Sequence, residues 1–183
     1  MSRLVILAGS AGSLSVILEC LPALEVPLNC CLLIVIHRRT TDHALEDLLR
    51  HKTANPVKEV EEKDAILAGQ IYLAPGDYHL LIEQDLTFSL DYSEPVNYSR
   101  PSIDVVFESA ATVLGEKTAG ILLSGANNDG ALGLLRIKEA GGMIFVQHPA
   151  TAEVDFMPQS ALQVITPDRI IQPQQLAELL NDL

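Results

Sequence analysis

The sequence lacks tryptophan and holds only four phenylalanines and four tyrosines among its 183 residues. Hydrophobic residues still make up 48 % of the chain, so the core must be built mainly from aliphatic side chains. A chain of this length fits one domain and can bury roughly 70 % of the surface that it exposes when unfolded. We therefore expect a single domain over residues 1–183 that needs no disulfide or metal to stabilise it.

Positive charge is also scarce in this sequence. The 12 lysines and arginines are outnumbered by 24 aspartates and glutamates, which gives a formal net charge of -12 at pH 7. Nucleic acids and anionic membranes are bound through basic surfaces that displace counterions. The charge balance therefore argues against both as partners.

Long apolar segments and cysteine-rich motifs are absent as well. The longest apolar run, Cys30 to Ile36, is far shorter than the roughly 20 residues that a membrane-spanning helix needs, and the N-terminus lacks a signal-peptide pattern. The three cysteines, Cys20, Cys30 and Cys31, are an odd number without metal-ligand spacing. We expect a cytoplasmic protein with reduced core thiols, no metal site and no direct membrane insertion.

Apolar runs that alternate with amphipathic segments predict an α/β fold. Several runs are continuously apolar, which is typical of parallel strands covered by helices on both faces. The alternation from Leu80 to Asp91 instead predicts an antiparallel hairpin, either as an insertion or as an edge element. The predicted strands are Leu4 to Ala8, Cys30 to Ile36, Gln70 to Ala74, His79 to Ile82, Leu86 to Asp91, Ala119 to Leu123 and Met143 to Val146. The predicted helices are Ser13 to Leu21, Asp42 to His51, Ser102 to Leu114, Ala131 to Ala140 and Gln174 to Leu180.

The first apolar run ends in Gly9-Ser10-Ala11-Gly12-Ser13, and a helical pattern follows at once. Glycines on both sides of Ser10 permit a sharp turn, and the unpaired amides of a helix start can hold an anion or an oxyanion. Ser10 is therefore a candidate nucleophile. The alternative is that Ser10 or Ser13 only caps the helix, which is the commoner role of serine at such a place.

Two further polar side chains follow predicted strands. His37 comes directly after the run that ends at Ile36, and Asp129 lies in the loop between Leu123 and a predicted helix. Each has an ordinary alternative, since histidine at a strand end is often a surface residue and aspartate before a helix is often a cap. Because the carboxyl ends of parallel strands meet at one edge of a sheet, Ser10, His37 and Asp129 could converge on one crevice.

A hydroxyl, an imidazole and a carboxylate are the parts of a hydrolytic triad. The imidazole takes the hydroxyl proton during attack and returns it to the leaving group, while the carboxylate fixes the tautomer and offsets the charge that forms. Backbone amides would stabilise the oxyanion. The chain order Ser10, His37, Asp129 differs from the Ser, Asp, His order of α/β-hydrolases.

A dinucleotide-binding fold is a rival interpretation of the same N-terminal turn. Residues Ala8 to Ser13 resemble a fragment of a glycine-rich phosphate loop, but the full G-x-G-x-x-G pattern is absent. The second strand ends in His37-Arg38-Arg39 instead of an acidic residue that would hold a ribose. Two arginines could accept a ribose phosphate, so this interpretation stays open.

Taken together, these features resemble the catalytic domain of the chemotaxis protein-glutamate methylesterase family, CheB, over nearly the whole chain. No single stretch is specific to this family, but the set of stretches in this order along the chain is. The stretches that carry the resemblance are Gly9 to Ser13, the strand end at His37, Tyr72 to Leu80, Arg100 to Val105, Leu122 to Gly133, and Met157-Pro158 with the helix that follows.

The resemblance implies a doubly wound α/β fold, with a mostly parallel sheet, helices on both faces and the antiparallel hairpin or edge element. It also implies a serine esterase that hydrolyses glutamate γ-methyl esters on methyl-accepting chemotaxis-type receptors. Members of the family commonly deamidate receptor glutamines as well. The matching positions are Ser10 as nucleophile, His37 as base and Asp129 as the orienting acid. The family chemistry requires no cofactor.

The sequence departs from the family pattern at the rim of this predicted site. Ala11 replaces the usual threonine but keeps its backbone amide, and Ala126 replaces a methionine, which predicts a wider site. Both amides are candidate oxyanion donors. Ser13 replaces the second glycine of the loop, and Arg38 and Arg39 replace a Met-Pro segment; these two arginines are candidate contacts for an acidic receptor.

We expect no regulatory receiver domain before Ser10. The sequence is then a domain cut out of a longer chain, a naturally stand-alone enzyme, or an enzyme that a separate regulatory partner controls. The changes at the rim also leave open a non-enzymatic alternative, namely a CheB-like module that binds receptor but has impaired turnover. Retention of all three reacting residue types favours an active enzyme.

Overall fold

The computed structural model describes residues 3–38 and 43–183, and it has a seven-stranded sheet at its centre. All neighbouring strands in this sheet are parallel, in the order β3-β4-β2-β1-β7-β8-β9. Strands β5 and β6 form a separate antiparallel pair. The strands are β1 (Leu4–Gly9), β2 (Cys31–Ile36), β3 (Val57–Glu59), β4 (Ile71–Leu73), β5 (His79–Ile82), β6 (Phe88–Asp91), β7 (Thr118–Leu122), β8 (Met143–Gln147) and β9 (Arg169–Ile171).

Six α-helices connect the described strands and cover both faces of the sheet. They are α1 (Ser13–Cys20), α2 (His43–Arg50), α3 (Ile103–Leu114), α4 (Ala131–Glu139), α5 (Phe156–Val164) and α6 (Leu176–Asp182). None of the helices in the described part of the chain is long and apolar enough to cross a membrane.

The central strand β1 divides its side chains between two hydrophobic cores. Leu4 and Ile6 pack with residues of α3, α4 and α5 on one face, and Val5 and Leu7 pack with α1 and α6 on the other. Every residue of β1 is buried. This two-sided burial explains why the strand is continuously apolar in the sequence, as parallel strands covered by helices are.

The predicted α/β class with a mostly parallel sheet is confirmed. The hairpin from Leu80 to Asp91 is also present, but as its own two-stranded sheet and not as an edge of the main sheet. It is attached to α3, where the Ser109 hydroxyl accepts the Ile82 amide at 2.6 Å and donates to the Ile82 carbonyl at 3.2 Å. The edge strands β3 and β9 were missed, because three residues are too few to show a periodic pattern.

All three cysteines are free and buried, as the sequence predicted. Burial raises the pKa of the Cys20 thiol to about 12 and raises the pKa values of Cys30 and Cys31 as well. Thiols that stay protonated at neutral pH are poor nucleophiles and poor metal ligands. The cysteines therefore act as small core residues.

The chain order reverses at β1, which has β2 on one side and β7 on the other. In open α/β sheets such a switch point leaves a crevice beyond the carboxyl ends of the strands, and ligands bind there. Ser10 follows β1, His37 follows β2, and Asp129 lies in the loop that follows β7. The topology therefore brings the three candidate residues to one end of the sheet.

Candidate active site

The chain turns sharply at Ser10, and close packing on both sides of this turn requires glycine. A Cβ atom on Gly9 would lie 2.5 Å from the Cβ of Ser13, and one on Gly12 would lie 2.6 Å from the Cβ of Glu153. Gly12 also has a φ of 79°, in the left-handed region that favours glycine. The backbone can therefore pass from β1 into α1 with the Ser10 side chain at the apex.

The capping role that the sequence left open for Ser10 and Ser13 is not adopted. Gly12 is the N-cap residue of α1, and no side chain caps this helix. The buried Ser13 hydroxyl donates to the carbonyl of Ser10 at 2.7 Å, which closes the turn. Within the described residues the hydroxyl of Ser10 makes no hydrogen bond, so it is available for reaction.

His37 is fixed beside this turn by its backbone and its ring. Its amide donates to the Gly9 carbonyl at 3.3 Å, which keeps the end of β2 against the end of β1. Its Nε2 lies 2.8 Å from Asp129 Oδ2, and its Nδ1 lies 3.4 Å from the hydroxyl of Ser99. Since an ionised carboxylate can only accept, Nε2 carries the proton and Nδ1 holds the lone pair. Nδ1 is therefore the atom that can act as a base.

Asp129 is fully buried and accepts several hydrogen bonds at its two oxygens. Oδ2 accepts from His37 and from the Ile103 amide at 2.6 Å. Oδ1 accepts from the Ser102 hydroxyl at 2.9 Å, the Asp104 amide at 3.1 Å and the Asn97 side chain at 3.1 Å. Burial alone would raise the pKa of Asp129, but the donors, His37 foremost, outweigh it and lower that pKa below its usual value. The carboxylate is therefore kept ionised.

Asp104 and Asp129 cap each other's helices. Asp129 caps α3, to which Asp104 belongs, and Asp104 caps α4, which Asp129 precedes. Asp129 lies before α4 but accepts the first amides of α3, whereas Asp104 lies in the first turn of α3 and accepts the amides of Gly130 and Gly133 at 2.9 and 2.6 Å, at the start of α4. Gly133 permits the close approach, since a Cβ there would lie 2.6 Å from the Phe107 Cβ. The prediction that Asp129 lies near a helix start holds, but the helix that it caps is a different one.

Burial and the nearby charge of Asp129 raise the pKa of Asp104 to about 6, although the amides of Gly133 and Gly130 act in the opposite direction. The folded protein therefore binds a proton near pH 5 that the unfolded chain releases. Stability from this group is present below its ordinary pKa of 3.8 and is lost as the pH rises through about 6.

We expect an Asp104→Asn variant to lose this pH dependence. In the wild type the free energy of unfolding should decline from pH 4 to pH 6 through Asp104, and the variant should show a flatter profile, whatever its absolute stability. Urea unfolding at half-unit pH steps measures both slopes. Parallel profiles for the two proteins would contradict this assignment.

Three residues that support Asp129 were not singled out as functional from the sequence. Ser102 is the N-cap of α3 and also donates to Asp129. The buried His79 accepts the Ser102 amide at Nδ1, 3.2 Å away, and its Nε2 donates to the Glu94 carbonyl at 3.0 Å. The Asn97 amide nitrogen donates to both Asp129 and Asp104. Only Ser102, directly after Pro101 at a predicted helix start, gave any local signal of its capping role.

Comparison with known proteins agrees with this architecture. Residues 5–180 match the model of the family described as CheB methylesterase. The chain belongs to the CheB methylesterase family. The fold matches the crystal structure of the Thermotoga maritima CheB methylesterase catalytic domain with a TM-score of 0.94 at 27 % identity, covering 100 % of this chain and 98 % of that one.

Two relatives show how the CheB match extends along the sequence. A protein of Leptospira interrogans, provisionally named a protein-glutamate methylesterase/protein-glutamine glutaminase, is 43 % identical over 176 residues, which are 96 % of this chain and 91 % of that protein. The protein-glutamate methylesterase/protein-glutamine glutaminase of Symbiobacterium thermophilum is 30 % identical over 180 residues, 98 % of this chain but 50 % of that protein. Membership of the CheB family replaces the dinucleotide-binding interpretation.

Two loops of this CheB fold, the one after β1 and the one after β7, each offer a candidate amide for an oxyanion. The Ser10 amide is not one of them, because it donates to the Ser124 carbonyl at 2.9 Å. Ala11 and Ala126 are exposed, and their amides have no hydrogen-bond partner among residues 3–38 and 43–183. The Ser124 hydroxyl donates to the Ala11 carbonyl at 2.7 Å and thereby joins the two loops. Both amides remain candidate donors.

Ser10 and His37 form no side-chain hydrogen bond with each other in the described structure. His37 Nδ1 instead faces the hydroxyl of Ser99. Catalytic hydrogen bonds in substrate-free enzymes are often long or poorly aligned and tighten when substrate binds. If Ser10 and His37 act together, a side-chain movement has to bring the Ser10 hydroxyl to Nδ1 in place of Ser99.

Of the two arginines that follow His37 in this CheB sequence, the structure describes Arg38. Arg38 is largely buried, with its guanidinium on the carboxylate of Glu59 and on the Ala74 carbonyl at 3.1 Å. Arg39 lies outside the described residues. Contact of either arginine with a receptor stays a prediction. Among the described histidines, cysteines and acidic residues, no group of three could hold a metal ion.

Proposed function

We propose that this chain hydrolyses glutamate γ-methyl esters on methyl-accepting chemotaxis-type receptors and releases methanol. The names of both relatives give protein-glutamate methylesterase and protein-glutamine glutaminase activities. The observation that supports it most directly is the 2.8 Å contact of His37 Nε2 with the buried Asp129, beside a Ser10 hydroxyl without a hydrogen-bond partner in the described residues. A hydroxyl and a fixed neutral imidazole at one edge of a sheet are suited to acyl transfer.

In this proposal the Ser10 oxygen attacks the ester carbonyl while His37 Nδ1 takes the hydroxyl proton. Asp129 stabilises the imidazolium that forms, and the Ala11 and Ala126 amides bind the oxyanion. The imidazolium then protonates the methoxide as the tetrahedral intermediate collapses, which releases methanol and leaves an acyl-enzyme. A water molecule, deprotonated by Nδ1, hydrolyses that acyl-enzyme and restores Ser10.

The same steps convert a glutamine side chain into glutamate if ammonia replaces methanol as the leaving group. Deamidation therefore needs no further residues and is part of the proposed function. The enzyme would act in the cytoplasm on the cytoplasmic part of its receptor.

Release of labelled methanol from receptor carrying [methyl-³H]glutamyl esters tests the proposed function. We expect the wild-type protein to release methanol in proportion to enzyme concentration, and to release ammonia from receptor with unmodified glutamines. Binding of receptor without release of either product would contradict the enzymatic proposal and favour the receptor-binding module. A protein that neither binds nor hydrolyses receptor would exclude both.

A further inference from the structure

A tight turn at residues 96–99 lies beside the proposed triad. The Val96 amide donates to the Ser99 carbonyl at 3.1 Å, and the Ser99 amide donates to the Val96 carbonyl at 2.9 Å. The two central residues, Asn97 and Tyr98, have φ values of 51° and 61°. Reciprocal hydrogen bonds around two residues with positive φ define a type I′ turn, whose preferred sequence is Asn-Gly.

Tyr98 occupies the position of this turn where glycine is preferred. A bulky side chain with positive φ is strained, and such strain persists where the surrounding structure enforces it. Packing does not compensate for this strain, because the Tyr98 side chain is fully exposed, at 104 % of its reference accessibility. An aromatic ring that is strained and unpacked in the free protein does not serve stability, which suggests a role in binding.

The turn is held by the same residues that form the catalytic centre. Asn97 donates to Asp129 at 3.1 Å and to Asp104 at 2.9 Å, and the Ser99 hydroxyl lies 3.4 Å from His37 Nδ1. Tyr98 is therefore flanked on both sides by residues bonded to the triad or its support. Its backbone position relative to the reacting atoms is consequently fixed.

Tyr98 also lines a cavity that opens at the catalytic histidine. This cavity has a volume of about 190 Å³ and is lined by His37, Arg38, Tyr98, Ser99 and Arg100. The Arg100 guanidinium lies 4.1 Å from the centre of the Tyr92 ring and donates to the Ser93 carbonyl at 2.8 Å, so it is held in place. The charge of Arg38 is paired with Glu59, so Arg100 is the cation on this wall that favours an acidic peptide, although the chain as a whole carries a net charge of -12.

We propose that Tyr98 is a specificity-determining contact for the protein substrate. Its ring packs against an apolar side chain of an acidic receptor segment, next to the glutamyl ester that enters the cavity. This inference rests on the proposed function, because it names how the same site recognises its protein substrate. Tyrosine is suited to the task, since its rigid ring supplies a large contact area and loses little conformational entropy on binding.

Tyr98→Gly removes the ring and keeps the turn, because Asn-Gly is the favoured type I′ pair. We expect kcat/KM for methylated receptor to fall about tenfold to a hundredfold, mainly through KM, as for an aromatic residue at the centre of an interface. The small ester N-acetylglutamate γ-methyl ester amide lacks the neighbouring apolar side chain that is proposed to pack against the Tyr98 ring. The ratio of kcat/KM for receptor to that for the small ester should therefore fall at least tenfold.

Two matched variants complete the test. Leu67→Ala truncates another exposed hydrophobic side chain. Leu67 lies before the amino end of β4, whereas the proposed site lies at the carboxyl ends of the strands, so this variant should leave the ratio unchanged. Tyr98→Phe keeps the ring and should retain most of the receptor activity. A loss in Tyr98→Phe as large as in Tyr98→Gly would overturn the proposed ring packing, and so would an unchanged ratio in Tyr98→Gly.

Direct binding of methylated receptor, measured in a Ser10→Ala background, separates this inference from the proposed function. If the wild-type protein releases no methanol but Tyr98→Gly still weakens receptor binding tenfold or more, the contact stands and the esterase proposal fails. Equal affinity with and without the Tyr98 ring overturns the contact, whether or not methanol is released. Absence of any receptor binding by the parent protein overturns both.

Discussion

Replacement of Ser10 by alanine should lower kcat for methanol release by about 10⁴- to 10⁶-fold. The variant keeps the backbone turn but has no oxygen to attack the ester, so the two-step covalent route is closed. Removal of the nucleophile from serine proteases has effects of this size, with the remaining rate supplied by oxyanion binding. Single-turnover assays at high enzyme concentration can measure the residual rate.

Ser15→Ala is the matched control for this experiment. Ser15 is an exposed serine in the first turn of α1, and its hydroxyl donates to the Gly12 carbonyl at 3.1 Å. This variant removes the same atom a short distance from Ser10 and should retain the wild-type kcat. Equal rates for Ser10→Ala and the wild type would exclude Ser10 as the nucleophile.

Asp129→Asn should have the second largest effect, a fall in kcat of about 10⁴-fold. An amide nitrogen facing His37 would donate to Nε2 and force the ring proton onto Nδ1, where no lone pair would then be left to act as a base. The same exchange of carboxylate for amide in a serine protease triad reduces kcat by about this factor. The amide also cannot stabilise the imidazolium.

The fall in kcat for Asp129→Asn has to be separated from loss of structure, because Asp129 also accepts hydrogen bonds from the Ile103 and Asp104 amides at the start of α3. Thermal unfolding should show a lower Tm but a folded protein at the assay temperature. Asp155→Asn removes the same charge from an exposed position, where the carboxylate accepts only the Gln159 side chain among the described residues, and should leave kcat unchanged. A folded Asp129→Asn protein with kcat within tenfold of the wild type would contradict the triad assignment.

The fold and the three central residues were accessible from the sequence for a common reason. Ser10 and His37 each follow an apolar run directly, and Asp129 lies in a loop that follows another. The carboxyl ends of parallel strands meet at one edge, so strand assignment indicated that these residues could converge, and the resemblance to the CheB family assigned their roles. Each step depended on long, strongly apolar strands, which are the elements that sequence patterns identify best.

The support around Asp129 was not accessible in this way. Asn97 and Ser102 reach the site from the irregular segment between β6 and α3, which has no periodicity to place it in space. His79 lies on β5, but its two ring nitrogens are occupied by partners far away in sequence. Nor does a sequence state which imidazole nitrogen faces the carboxylate. These features depend on tertiary contacts between segments whose local patterns are independent of one another.

The exchange of caps between Asp104 and Asp129 ties catalysis to the completion of folding. Neither carboxylate can be satisfied until α3 and α4, which are separated by the whole of β7, have packed against each other. In the proposed mechanism, a chain in which these helices have not packed has no correctly oriented base for Ser10 and should not hydrolyse esters. Loss of activity and global unfolding should coincide along a urea titration, so that activity itself reports cooperative folding.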